Sequence, residues 1–155
     1  MDTRDAARRW IDGWLRGWRG LDPEPIVAVY AEDCFFLSQP FREPQAPREY
    51  VEWALAEEEW AEPSFGEPVV DGDRAAVEWW AFVREDGRDI TLAGTSLLRF
   101  REDGQCVEQR DQWAAADGRV QRRPGRTSHD RGQTPLMAQA DVSIWAFWSL
   151  PEKST

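Results

Sequence analysis

The fold is decided between Phe65 and Asp117, FGEPVVDGDRAAVEWWAFVREDGRDITLAGTSLLRFREDGQCVEQRDQWAAAD. Strand-like runs follow one another there, joined at Asp71-Gly72-Asp73, Glu85-Asp86-Gly87 and Glu102-Asp103-Gly104. Asp-Gly between alternating or β-branched runs is a strong hairpin signal, because Gly accepts positive φ without a Cβ clash. The reading is an antiparallel meander with strands over 65–70, 74–84, 88–101 and 105–116, the last three long enough to need strong twist or bulges. Gly94, inside the third run, is a candidate bend.

Upstream the pattern is helical. Trp10, Trp14 and Trp18 recur every four residues beside Ile11 and Leu15, which makes one broad apolar stripe over 3–18 with Asp2 or Thr3 as cap and Gly20 as stop. Asp22-Pro23 opens a second helix reaching about Tyr30. A short strand is expected over Cys34–Ser38, then a proline-rich loop over 40–47. A third helix starts near Pro47 and extends as far as Trp60, with Glu57-Glu58-Glu59 as a solvated face. Helices gathered on one side of an antiparallel sheet make an α+β domain, with a concave sheet around a pocket.

Composition narrows the partners. Acidic residues outnumber basic ones 29 to 19, a net charge of −10 in 155 residues. That disfavours nucleic acid, which needs clustered cations, and anionic membrane surfaces. No run is long and apolar enough to span a bilayer, and the N-terminus lacks a signal-peptide core, so a cytoplasmic location is the default expectation. Cys34 and Cys106 read as buried thiols. Ten tryptophans stand out. They are either core packing or the wall of a site for a flat, apolar ligand.

After Asp117-Gly118 the composition changes. Residues 1–118 form the main domain and 119–134 a polar linker. Residues 135–155 form an apolar extension containing Trp145 and Trp148. That extension is open to three readings: a lid on the pocket, an arm exchanged in a homodimer, or a segment docking on another protein. His129, the single histidine, sits in the linker beside Ser128 and Asp130. Neighbours in a loop cannot face one another as a triad does, so it is not assigned a catalytic role. One histidine and two separated cysteines offer no transition-metal set, and neither a phosphate loop nor a dinucleotide fingerprint is present. No cofactor is therefore expected.

The order helix, helix, short strand, helix, meander resembles the nuclear transport factor 2-like superfamily, in particular its SnoaL-like branch of polyketide cyclases and steroid isomerase-like domains. The resemblance is carried by Tyr30-Ala31-Glu32-Asp33, by Phe41-Arg42-Glu43-Pro44 through Tyr50, and by Gly72-Asp73-Arg74 through Trp79. It continues in Phe100 through Gly104 and in Val107 through Trp113. It implies a cone-shaped barrel with a deep pocket and homodimers paired through the outer sheet face. The fold hosts many chemistries, so function must come from the site.

The three positions that steroid isomerases use to hold an oxyanion and abstract a proton fall, on this resemblance, at Trp14, Ser38 and Ser96. None is a carboxylate, so the isomerase pattern is not met. The superfamily's dehydratases rely on paired histidines, which this chain lacks. Strand alternation offers another candidate. If Trp113 faces the pocket, then Asp111, Gln109 and Val107 do too. Asp111 would be a carboxyl walled by aromatic rings, suited to proton transfer of the kind SnoaL-like cyclases perform. Its plain alternative is to hold the strand through Arg110, Arg99 or an indole N–H. A one-residue slip would turn Arg110 and Gln112 inward instead. Tyr30, Phe36 and Tyr50 complete the expected lining, and Glu78 is a second carboxylate of undecided facing.

The expectation is a site for a small hydrophobic or aromatic molecule with few oxygens. The alternatives are a cyclase- or isomerase-type enzyme using Asp111 and an assembly domain using the Trp-rich tail.

Overall fold

A computed structural model of the chain describes residues 1–125. Expectations for the rest of the linker and for the apolar extension, including His129, Trp145 and Trp148, lie outside the described residues. Helix α1 spans Thr3–Gly20 and α2 Pro23–Val27; strand β1 spans Tyr30–Leu37, and helix α3 Pro47–Ala56. Five strands follow: β2 Trp60–Phe65, β3 Val69–Asp71, β4 Arg74–Glu85, β5 Arg88–Phe100 and β6 Cys106–Asp117.

Asp2 caps α1, its carboxylate accepting the amide of Asp5 at 2.8 Å. The stripe of α1 is buried as its spacing requires, with Trp10, Trp14 and Trp18 all in the core. Gly13 and Gly17 cut a notch in the same helix. A Cβ on Gly17 would lie 2.7 Å from the carbonyl oxygen of Asp22, and one on Gly13 would lie 2.7 Å from that of Pro25. The notch lets α2 lie directly on α1.

The sheet runs β1-β6-β5-β4-β2, with β3 also paired to β4. It is curved, mixed and not closed. The β4-β5-β6 meander is antiparallel, and β1 adds to β6 in parallel, which the sequence reading had not specified. In the β4–β5 turn both Asp86 and Gly87 have positive φ, 48° and 71°, the pair a type I′ hairpin needs. Ala75, Val77, Trp79, Ala81 and Val83 alternate into the core along β4.

Four boundaries differ from expectation. Tyr30 begins β1 rather than ending α2. The third helix stops at Ala56, and Trp60 begins a strand. The run expected at 65–70 is two strands broken at Gly66-Glu67-Pro68. Pro63 had hidden β2, and it is tolerated there because β2 is an edge strand with one side free of ladder bonds. Finally, Val107 is the extra residue of a bulge. Arg99 pairs with Glu108, and Phe100 pairs with Cys106. Cys106 therefore takes the inward position expected of Val107 and is fully buried. Both cysteines are free and buried.

Beyond β6 the chain turns at Gly118, and residues 119–122 cross the outer face of the sheet. The Val120 amide donates to Thr91 Oγ1 at 2.9 Å, and Trp80 Nε1 donates to the Val120 carbonyl at 3.0 Å. Arg119 stacks over Trp60 at 4.5 Å, and Arg122 pairs with Glu78 at 2.7 Å. Glu78 thus faces outward and is not a pocket residue. No helix among the described residues is long and apolar enough to cross a membrane.

Candidate functional site

Between the sheet and the helices lies a cavity of about 540 Å³. Six indoles line it, with aliphatic and charged side chains among them. Trp10, Trp14 and Trp18 come from α1, Trp53 from α3, Trp79 from β4 and Trp113 from β6. The rings touch in series, with centroids 5.9 Å apart for Trp10–Trp14 and for Trp14–Trp18, and 5.7 Å for Trp18–Trp79. Gly94 lies between Trp79 and Trp113 in register. A Cβ there would come within 2.6 Å of the Trp113 Cβ and 2.9 Å of Trp79, so glycine is what lets two indoles flank one strand.

One end of the cavity is polar. Asp111 alternates inward on β6 with Gln109 and Trp113, as the strand periodicity predicts, and is 5% exposed. Its Oδ1 accepts from Ser96 Oγ at 2.7 Å and from Gln109 Nε2 at 3.0 Å, while Oδ2 accepts only from Gln109 Nε2, also at 3.0 Å. The donors behind it are ordered. Trp79 Nε1 donates to Ser96 Oγ at 3.1 Å. Trp10 and Trp14 donate to the Tyr30 hydroxyl at 3.1 and 2.7 Å, and that hydroxyl donates to Gln109 Oε1. Every link points toward Asp111. Among the described residues no arginine pairs with it. Arg110 turns outward to Glu108 at 2.7 Å.

Two effects oppose each other at this carboxyl. Burial pushes its pKa up, and the donors from Ser96 and Gln109 pull it down. Burial prevails, and the pKa stands at about 7. With Oδ1 already accepting twice, the proton belongs on Oδ2. The group can therefore give or take a proton near neutrality.

Of the expected lining, Trp14, Tyr50, Ser96, Gln109, Asp111 and Trp113 face the cavity. Tyr30, Phe36 and Ser38 do not. The Tyr30 hydroxyl is spent on Trp10, Trp14 and Gln109. Phe36 is fully buried, packed edge-on against Tyr30 and tilted against Tyr50. Ser38 is buried too, its carbonyl accepting from Trp113 Nε1 at 2.7 Å. These three form a layer behind the wall.

Sequence reasoning did not assign most of the lining to the cavity, and two of the polar side chains it missed are Arg42 and Glu58. Arg42 sits 5.6 Å from the ring centroids of both Trp53 and Trp113. The loop it occupies carried no periodic signal. Glu58, read as part of a solvated run, lines the cavity and accepts from Trp18 Nε1 at 2.7 Å. Burial first, and the charge of Glu85 second, raise its pKa to about 8. Its neighbour Glu59 does face outward, to Arg84 and the Gly87 amide. The signal that separates them is their place just past the helix end, where successive side chains diverge.

The model of the SnoaL-like domain matches residues 7–109, most of the described chain. The chain belongs to the SnoaL-like family. No curated protein matches this SnoaL-like chain in sequence. Among solved structures it is similar to SalBIII, described as an epoxide hydrolase/cyclase-like enzyme in pyran ring formation in the polyether salinomycin. That match has 14% identity and a TM-score of 0.64, covering 76% of this chain and 98% of that one. It is similar to RV0760c from Mycobacterium tuberculosis, with 15% identity and a TM-score of 0.64, covering 76% and 100%. It is also similar to an LEH-like epoxide hydrolase from M. tuberculosis, with 14% identity and a TM-score of 0.58, covering 71% and 84%. At these identities the likeness establishes the SnoaL-like cone and leaves the chemistry to the residues.

Proposed function

We propose that this chain binds an apolar or aromatic small molecule with few oxygens, placing one oxygen at Asp111 Oδ2. The observation that carries the reading is a cavity of about 540 Å³, lined by six indoles, with the buried, hydrogen-bonded carboxyl of Asp111 in its wall. Such a volume suits a drug-sized ligand, and a few convergent polar groups in an apolar pocket serve to fix orientation. A ketone tests it. 2-Acetylnaphthalene should quench or shift the intrinsic tryptophan emission in a saturable way, because six indoles line the space it would enter. An emission spectrum indifferent to that ketone and to 2-naphthol alike would overturn the reading.

A second reading, proton transfer, is favoured by Asp111's pKa of about 7, which leaves both forms populated at neutral pH. Two of the similar solved structures are an epoxide hydrolase/cyclase-like enzyme and an LEH-like epoxide hydrolase, which is compatible with it. In this reading Asp111 removes a proton next to a ligand carbonyl. Exchange of the methyl protons of 2-acetylnaphthalene in deuterated buffer, followed by NMR, measures that step. The wild-type chain should accelerate exchange, and Asp111→Asn should abolish the acceleration while emission quenching persists. Equal acceleration by Asp111→Asn would remove the carboxyl from the chemistry.

A further inference from the structure

We propose that Glu58 is a second polar anchor of the cavity, so that the site is built for a flat aromatic molecule of two or three rings carrying a hydroxyl or carbonyl at each end. This rests on the reading of the cavity as a small-molecule site. The geometry is the first support. Trp18 and Trp79 touch edge to face, with centroids 5.7 Å apart and planes at 72°. Glu58 hangs from the N–H of Trp18 at 2.7 Å. Asp111 hangs from the N–H of Trp79 through Ser96, at 3.1 and 2.7 Å. The two carboxyls are therefore held at either side of one indole pair, and both line the same cavity. Indole rings and the aliphatic side chains of Leu55, Ile90 and Leu92 line the same cavity. A ligand that meets both carboxyls must have an apolar body, aromatic where it meets the indoles, and a polar atom at each end.

The second support is what Glu58 lacks. Among the described residues no ion pair includes it, whereas Glu59 beside it pairs with Arg84 at 3.5 Å. A structural role would ask less. Trp18 Nε1 needs one acceptor, which a glutamine would supply without placing an ionisable group in an apolar wall. Only Oε2 is engaged by the indole, which leaves Oε1 for a ligand. The same holds at the other pole, where Asp111 Oδ2 carries a single protein contact. Each carboxyl thus keeps one oxygen with room for a further hydrogen bond.

Three probes test this by tryptophan quenching at one neutral pH: 2-naphthol, 2,6-naphthalenediol and 4,4′-biphenol. The two diols offer two oxygen spacings. At least one diol should bind about tenfold tighter than 2-naphthol, the increment expected of one added hydrogen bond to a carboxyl. Glu58→Leu should remove most of that advantage, and Glu58→Gln, which keeps an acceptor for Trp18, should retain part of it. Diols that bind no tighter than 2-naphthol in the wild-type chain overturn the second anchor, whatever the variants do. An advantage that survives Glu58→Leu overturns it too. An emission spectrum indifferent to 2-naphthol, to both diols and to 2-acetylnaphthalene would instead overturn the small-molecule reading beneath it, so the two failures are distinct.

Discussion

Asp111 owes its character to what surrounds it rather than to any charged partner. Burial and donated hydrogen bonds pull its pKa in opposite directions, so removing one donor should move it predictably. Ser96→Ala deletes the 2.7 Å donor to Oδ1 and leaves Trp79 Nε1 without its acceptor. The carboxyl pKa, followed by NMR, should rise above 7, and stability should fall by about 1–3 kcal/mol. Ligand binding should carry the same signature. A ketone oxygen accepts from the protonated Oδ2, so affinity for 2-acetylnaphthalene should weaken as pH rises through about 7. Proton abstraction by the carboxylate should strengthen over the same interval. Titrating emission quenching and methyl exchange side by side checks that the two limbs run in opposite directions.

Among the elements, α1 supplies Trp10, Trp14 and Trp18 and β6 supplies Gln109, Asp111 and Trp113, and the two were legible to different degrees. The every-fourth-residue tryptophans of α1 announced its buried face, and the Asp-Gly turns announced the meander. The alternation of β6 placed Gln109, Asp111 and Trp113 inward. The alternation failed at Val107, because a bulge adds one residue that no side-chain pattern records. β2 was obscured by Pro63, whose penalty vanishes on an edge strand. Glu58 escaped notice because local charge cannot tell which of three consecutive glutamates a helix end turns inward. Gly13 and Gly17 were also passed over, since spacing alone does not reveal that a second helix fills their notch. Gly17→Ala should destabilise the chain by about 1–3 kcal/mol, because the new methyl would meet the Asp22 carbonyl at 2.7 Å and backbone cannot swing aside. The gain of about 1 kcal/mol in helix propensity offsets part of this. Gly20→Ala, whose nearest atom would be 4.0 Å away, is the control and should be neutral or mildly stabilising in urea melts.

At the scale of the whole molecule, Asp111 and Glu58 together should shape the pH profile of stability. Both have folded pKa values above the ordinary carboxyl range, about 7 and about 8. Between their unfolded and folded values the native state holds protons that the unfolded chain has released. Stability is therefore greatest at mildly acidic pH and declines as pH rises from about 4 toward 8, by up to about 1.4 kcal/mol per pH unit for the buried Asp111. Asp111→Asn should flatten the part of the decline below about pH 7, which urea melts at pH 5 and pH 8 would measure. An unchanged slope would show that the carboxyl does not carry the shift. The short crossing of residues 119–122 reaches beyond its own bonds. It lies over β4 and β5, where Trp80 and Glu78 of β4 and Thr91 of β5 tie it down, and among the described residues Leu97 and Ala114, on β5 and β6, stay exposed. Anything stacked on the back of the sheet would meet this crossing over β4 and β5 first, so among the described residues the open part of that face lies toward β6.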